Sequence, residues 1–203
     1  KMNDIPRGSG NETGVMNMLK AWADGHGLQW RDDAVGNLLI EIPATKGLEK
    51  AKPVLIQGHV DMVCEKNSDV EHDFMTQGIE VEVDGDWVKA KGTTLGADNG
   101  IAIAMAMVAA TEPDVPHPPL ELLFTVDEET GLTGANALET GFIQGEVLLN
   151  IDSEDEGVFT VGCAGGRDTH IKLPVELDGV PSGAEPRKIV VEGLLGDKPG
   201  ATG

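Results

Sequence analysis

The chain has 203 residues, 35 acidic against 15 basic side chains, a formal charge of -20 and 40% hydrophobic content. That length serves one core and the start of a second unit, and acid in such excess excludes nucleic acid and anionic membrane as expected partners. No run of about 18 apolar residues and no basic-then-apolar leader occurs, and two cysteines, Cys64 and Cys163, make no disulfide framework, so a reducing, cytoplasmic setting is expected.

In chain order, Lys1 to Gly10 is a polar, Gly-rich loop whose Ser9 or Asn11 is placed to cap the next element. Val15, Met18, Leu19 and Trp22 fall at helical spacing and predict a helix ending near Gly25 to Gly27. Leu28 to Trp30 and Asn37 to Ile42 read as two strands joined through Asp32 to Gly36, and Lys46 to Lys52 as a charged surface connection. Pro53 to Gln57 is a buried strand running into Gly58, His59, Val60 and Asp61. Residues 64–78 lack periodicity and are expected to form a loop over the mouth of a site. Ile79 to Val83 and Trp87 to Ala90 alternate by two around Asp84-Gly85-Asp86, a hairpin signal.

Asn99 to Ala110 is almost entirely Ala, Ile, Met and Val and predicts a buried helix, opened by Gly96-Ala97-Asp98. Pro113 to Pro119 breaks the chain before the apolar run Leu120 to Val126, which ends in Asp127, Glu128 and Glu129. Gly134 to Leu138 gives a short helix, and a second run, Val147 to Ile151, ends in Asp152. Runs this short, closed by polar residues, read as strands buried on both faces of a parallel sheet. Gly157 to Gly162, Asp168 to Leu173 and Arg187 to Glu192 suggest antiparallel additions, with linker composition around Pro181 to Pro186. The expected fold class is α/β, with a mixed, mainly parallel sheet flanked by helices. One domain is expected over residues 1–183, and residues 184–203 begin another that the chain does not finish.

Binding groups gather just past the carboxyl ends of strands in such sheets. One His and several carboxylates therefore arrive at one edge, a ligand set suited to hard or borderline dications. In His59-x-Asp61 one imidazole nitrogen can bind metal while the carboxylate accepts the other N–H; a structural His and a surface-turn Asp are the alternatives. Asp98, between Gly96 and Gly100, reads equally as a ligand and as a helix N-cap. Glu128 and Glu129 are adjacent, so in a strand they cannot both point at one place. One is expected to bind metal and the other to face substrate as a general base. Asp152 repeats the placement, while Asp127 and the acids after Ser153 read as surface or supporting groups.

The segments GHVDMV, TTLGADNGIA, TVDEETGLTGA, NIDSEDEG and GCAGG closely resemble the aminoacyl-histidine dipeptidases, or Xaa-His dipeptidases. These belong to the wider superfamily of di-zinc aminopeptidases, aminoacylases and carboxypeptidases. The resemblance implies a zinc-peptidase catalytic domain in its N-terminal part, followed by the first strand of a lid domain. It implies that His59 and Asp152 bind one zinc, that Asp98 bridges two, and that Glu129 binds the second. Glu128 is then the general base and Asp61 the partner of His59, and the Asp98–Asn99 peptide is cis. A small dipeptide as substrate and a homodimer formed through the lid are also implied.

The chain departs from the family pattern at two places. No His follows His170, and where the family has Gly-Gly-His-Ser-Gly this chain has Gly196-Asp197-Lys198-Pro199-Gly200. The second metal site is therefore expected to be incomplete, with His72 and His170 as replacement candidates. The function expected is hydrolysis of short dipeptides by a zinc-activated water. The rival readings are an aminoacylase or tripeptidase of the same superfamily, and an inactive metal-binding fragment.

Overall fold

Continuous apolar stretches form the centre of the molecule because only strands covered on both faces can bury every side chain they carry. In the computed structural model, β6 (Leu120–Thr125) is such a strand but for Glu121, and it is buried at all six positions, the Glu121 carboxylate accepting from Gln144 N and Gly145 N. It lies between β2 (Leu38–Ile42) and β3 (Val54–His59). With β1 (Gln29–Asp32) and β7 (Val147–Asn150) they make a five-stranded sheet in the order β1-β2-β6-β3-β7. The pairings β1–β2 and β2–β6 are antiparallel, while β6–β3 and β3–β7 are parallel. Every strand except β2 thus points the same way, giving the expected mixed, mostly parallel sheet.

The structure describes residues 2–153, 157–162, 172–174, 179, 182–185 and 187. The chain divides into two units, Lys1–Glu154 and Asp155–Gly203. In the second, residues 157–162 form no strand, contrary to the addition expected there. The strands expected at 168–173 and 187–192, the second of them within the expected lid start, lie almost wholly outside the described residues.

Alternation sorts the side chains of the first unit between two clusters. Leu38, Ile40, Leu122 and Phe124 meet Val15 and Leu19 of α1 (Thr13–Gly25) and Ile103 and Ala106 of α2 (Ala97–Thr111). On the other face Leu39, Leu55 and Leu123 meet Leu138 and Phe142, beyond the short α3 (Thr133–Asn136). The expected hairpin is present as β4 (Val81–Asp84) and β5 (Trp87–Ala90), a separate two-stranded sheet. Among the described residues no helix is long and apolar enough to cross a membrane.

Three expectations need correction. β7 is not buried on both faces: it is the edge strand, and Val147, Leu148 and Leu149 are exposed. α2 is buried on one side only. Asn99, Gly100, Ala102, Ile103 and Ala106 face the sheet while Ile101, Met105 and Val108 are exposed. The helix is apolar all round, so its composition does not mark the covered face. Third, the first residue of α1 is preceded by Glu12, and neither Ser9 nor Asn11 caps it. The Ser9 hydroxyl is engaged elsewhere.

Candidate metal centre

Register brings the polar residues to one edge. β3 and β6 run parallel with His59 opposite Thr125, and β3 and β7 run parallel with Gln57 opposite Asn150. Glu128 and Glu129 therefore come soon after the end of β6, and Asp152 lies two residues past Asn150, level with His59. Asp98 and Asn99 sit in the opening turn of α2, which packs on the same cluster. Their dihedrals are non-helical, and the peptide between them is cis, as the family resemblance implies.

Asn99 ties these elements together. Its Oδ1 accepts the His59 N–H at 3.2 Å, and its Nδ2 donates to the Ile151 carbonyl at 2.6 Å and to Asp152 Oδ1 at 3.2 Å. The ends of β3, α2 and β7 are thereby pinned through one buried amide. Gly58 makes room for it, since a Cβ there would come within 2.5 Å of Asn99 Oδ1.

His59 is 1% exposed. Its Nδ1 faces only acceptors, the Asp61 carbonyl at 3.1 Å and Asp61 Oδ1 at 3.3 Å, so this nitrogen carries the proton. Nε2 faces Asp98 Oδ1 at 3.0 Å, Asp152 Oδ2 at 3.8 Å and Glu128 Oε2 at 3.9 Å. Burial alone would lower the His59 pKa. The hydrogen bond to Asp61 and the charges of Asp152, Asp61 and Glu128 outweigh it and raise the pKa to about 9.

Asp61 is fully buried. It accepts from Ser9 Oγ at 2.7 Å, Glu128 N at 3.0 Å and Glu129 N at 3.2 Å, besides the His59 ring. Burial would raise its pKa, but these donors hold the carboxyl well below the usual range. Burial first, and then neighbouring carboxylates, raises the pKa of Glu128, Glu129 and Asp152, with His59 opposing.

Two donor groups can each surround one ion: His59 with Glu128 and Glu129, and His59 with Asp98 and Asp152. In each the ligand atoms lie within 4.8 Å of one another. Both glutamates thus reach the same imidazole, contrary to the expectation that consecutive residues diverge. They are not in a strand: Asp127 has φ 51°, and the chain turns at once after β6. A third group, Glu12, Asp61 and Asp127, is internal wiring. Glu12 Oε1 accepts from Gly10 N and Asp127 N, while Asp127 accepts the hydroxyls of Thr130 and Thr133.

His72 belongs to none of these groups and stacks edge-on against Phe74, and His170 lies outside the described residues. Beside the acids is a cavity of about 220 Å³ lined by Gln57, Thr125, Val126, Glu128, Asn150 and Asp152, among others. Ser9, Asn99 and Arg7 also belong to this region, and nothing local in the sequence marks them: Asn99 opens an apolar helix, and the other two lie in an aperiodic run.

No family model matches the chain. It is 44% identical over 200 residues to the cytosol non-specific dipeptidase of Escherichia coli strain K12, across 98% of this chain and 41% of that protein. The crystal structure of aminoacylhistidine dipeptidase from Vibrio alginolyticus superimposes with a TM-score of 0.75 at 46% identity, over 77% of this chain and 32% of that one. Aminopeptidase PepT from Bacillus cereus ATCC 10987 gives a TM-score of 0.63 at 25% identity, over 76% of this chain and 41% of that one. The chain spans about two-fifths of the length of the Escherichia coli relative. In sequence and fold the chain is thus similar to the N-terminal part of these two longer dipeptidases.

Proposed function

We propose that this chain carries the metal-binding part of a zinc dipeptidase that hydrolyses short unblocked dipeptides, Xaa-His among them. The observation that carries the reading is the setting of His59: one buried imidazole whose outer nitrogen sees only carboxylates, while Asp61 engages the inner one. An imidazole that keeps its inner proton on Asp61 and gives up the outer one to an incoming ion, with several carboxylate oxygens around it, fits a borderline dication. His59 and Asp152 would hold one ion, Asp98 would bridge toward a second, and Glu129 would bind that second ion. His59 is the only imidazole in either donor group, so the 203-residue chain is proposed to bind one zinc tightly.

When bound, zinc supplies Lewis-acid polarisation of the scissile carbonyl and a lowered pKa for the attacking water. The chain's own residues do the rest. Glu128 lies within 4 Å of His59 Nε2 and lines the cavity, where it can take the water's proton and return it to the leaving amine. Asp61 touches no substrate in this reading. It keeps the His59 tautomer and, through the Glu128 and Glu129 N–H groups, places both glutamates.

The second reading, a metal-binding piece without turnover, draws on the same single imidazole. The test is a calorimetric zinc titration of the chain and two variants, with assays on Xaa-His dipeptides, other dipeptides and acylated amino acids. One tight site is expected in the parent chain. Glu128→Gln should keep it and lower any turnover by roughly 10²–10⁴-fold, while Glu129→Gln should weaken added metal. Zinc loss from the Glu128 variant with retention in the Glu129 variant would reverse the two roles. Turnover of acylated amino acids in place of dipeptides would replace the substrate class.

A further inference from the structure

Arg7, in the N-terminal loop, places its charge beneath the acid cluster. It is 2% exposed. Its Nη1 donates to the Val60 carbonyl at 2.9 Å and the Asp61 carbonyl at 3.3 Å, and its Nη2 donates to the Gly96 carbonyl. These acceptors belong to two separate segments. Val60 and Asp61 extend β3 directly beyond His59, and Gly96 is the left-handed residue, φ 72°, that opens α2 before Asp98. The Asp61 carbonyl that Arg7 holds is the same one that faces His59 Nδ1.

The space around the guanidinium is reserved for it. A Cβ on Gly96 would collide with Arg7 Nη2, and one on Gly100 would stand 2.9 Å from it. The loop itself is tied down, since Met62 N donates to the Arg7 carbonyl at 3.1 Å. Burial lowers the Arg7 pKa, and the nearby Asp61, Cys64 and Asp98 counter it, but its hydrogen bonds go to carbonyls. A planar fork with several fixed donors can span two segments in this way, whereas a lysine ammonium is a point charge.

We infer that Arg7 is a positioning residue: by holding Val60, Asp61 and Gly96 together, its guanidinium sets the separation of His59 from Asp98 and hence the geometry of the metal site. The inference rests on the metal-site reading above. Its charge opposes that role, because a buried cation repels an incoming dication. Arg7→Lys therefore decides between the two effects, as it keeps the charge and loses the fork. If charge dominated, zinc affinity would be unchanged in Arg7→Lys and higher in Arg7→Ala. If the fork dominates, both variants bind more weakly.

The experiment uses the 203-residue chain. Zinc affinity is measured by calorimetry, cobalt(II) d–d absorption reports coordination geometry, and unfolding in chelator reports stability without metal. Arg7→Lys and Gly100→Ala are both expected to weaken zinc by about 10–100-fold, the usual cost of disturbing groups that orient ligands, and to shift the cobalt bands. Gly100→Ala pushes on the guanidinium while favouring the helix, so weaker binding there cannot come from lost helix propensity. Guanidinium ion added to Arg7→Ala should recover part of the affinity. Folded Lys and Gly100 variants with unchanged affinity and unchanged cobalt bands would overturn the role of Arg7 while leaving the metal site standing. A parent chain that binds neither zinc nor cobalt would remove both.

Discussion

Asp61 and Asp152 are the same side chain at the same edge of one sheet, and their surroundings push them in opposite directions. Asp61 has no exposure and four donors around its two oxygens, so it stays ionised far below the ordinary carboxylate range. The Asp152 side chain is 30% exposed and receives one side-chain N–H, from Asn99. Burial and the charges of Asp98 and Asp61 raise its pKa against the pull of His59. An anion already saturated by donors has no need of a metal; an anion crowded by other anions is stabilised when a cation arrives. The inner acid is thus held by protein donors alone, and the outer acids are the ones a cation would stabilise, in keeping with their proposed role as ligands.

Removing the inner acid should have the largest effect. Asp61→Ala would leave the His59 ring, two backbone N–H groups and the Ser9 hydroxyl without their shared acceptor. A loss of about 3–5 kcal/mol is expected, as for other buried pairs broken from one side, seen as a lower urea midpoint in chelator. Zinc affinity should fall with it, because nothing then fixes the His59 tautomer. A variant as stable as the parent would mean that Asp61 is no different in kind from the outer acids.

Removing an outer acid should do the reverse for the metal-free chain. Asp152→Asn deletes a proposed ligand, so zinc affinity should drop by about 10-fold or more, comparable to losing an orienting partner. Without metal the variant should be no less stable than the parent, since one of several repelling charges is gone. Substantial destabilisation in chelator would show that Asp152 is held like Asp61.

The same contrast predicts a pH trend. The folded-state pKa of His59, about 9, lies above its ordinary value of 6.5. Stability from that bound proton is fully present below pH 6.5 and is lost as pH rises through about 9. The thermal midpoint in chelator should therefore fall across pH 6.5–9. With zinc present the fall should vanish, because the metal takes the proton's place and binds more tightly as His59 deprotonates. A flat profile in chelator would mean that neither Asp61 nor the outer acids hold a second proton on His59.

Much of this arrangement is legible in residue order, and the rest is not for definite reasons. β3 and β6 are short, mainly apolar runs closed by polar residues, Glu121 aside, so both the strands and the edge carrying His59, Glu128 and Glu129 can be read directly. The same reasoning finds β7 but not its exposure, because an apolar edge strand and an apolar central strand have the same composition. α2 fails in the same way, having no polar stripe to mark an open side. Arg7, Ser9 and Asn99 are invisible for another reason: their partners lie between 40 and 89 residues away, and nothing local encodes a hydrogen bond over that separation.

The smallest expected effect tests how the inner acid gains its character. Ser9 contributes one of the four donors to Asp61, at 2.7 Å, from a half-buried loop position where water can replace a lost hydroxyl. Ser9→Ala should therefore cost only about 1 kcal/mol, near the net worth of one hydrogen bond. The sign of its pH dependence is the informative part. A depressed carboxylate contributes stability that is present above its unfolded pKa, about 3.9, and is lost as pH falls through the folded value. Losing one donor moves that folded value upward, so the variant should fall further behind the parent in neutral buffer than at pH 2, where both have lost part of this contribution. Zinc affinity at neutral pH should hardly change, because His59, Glu128 and Glu129 still share Asp61. If Ser9→Ala instead weakened zinc as much as Asp152→Asn does, the inner carboxylate would be tuned to the metal by its hydroxyl partner, and the division between an inert inner acid and receptive outer ones would fail.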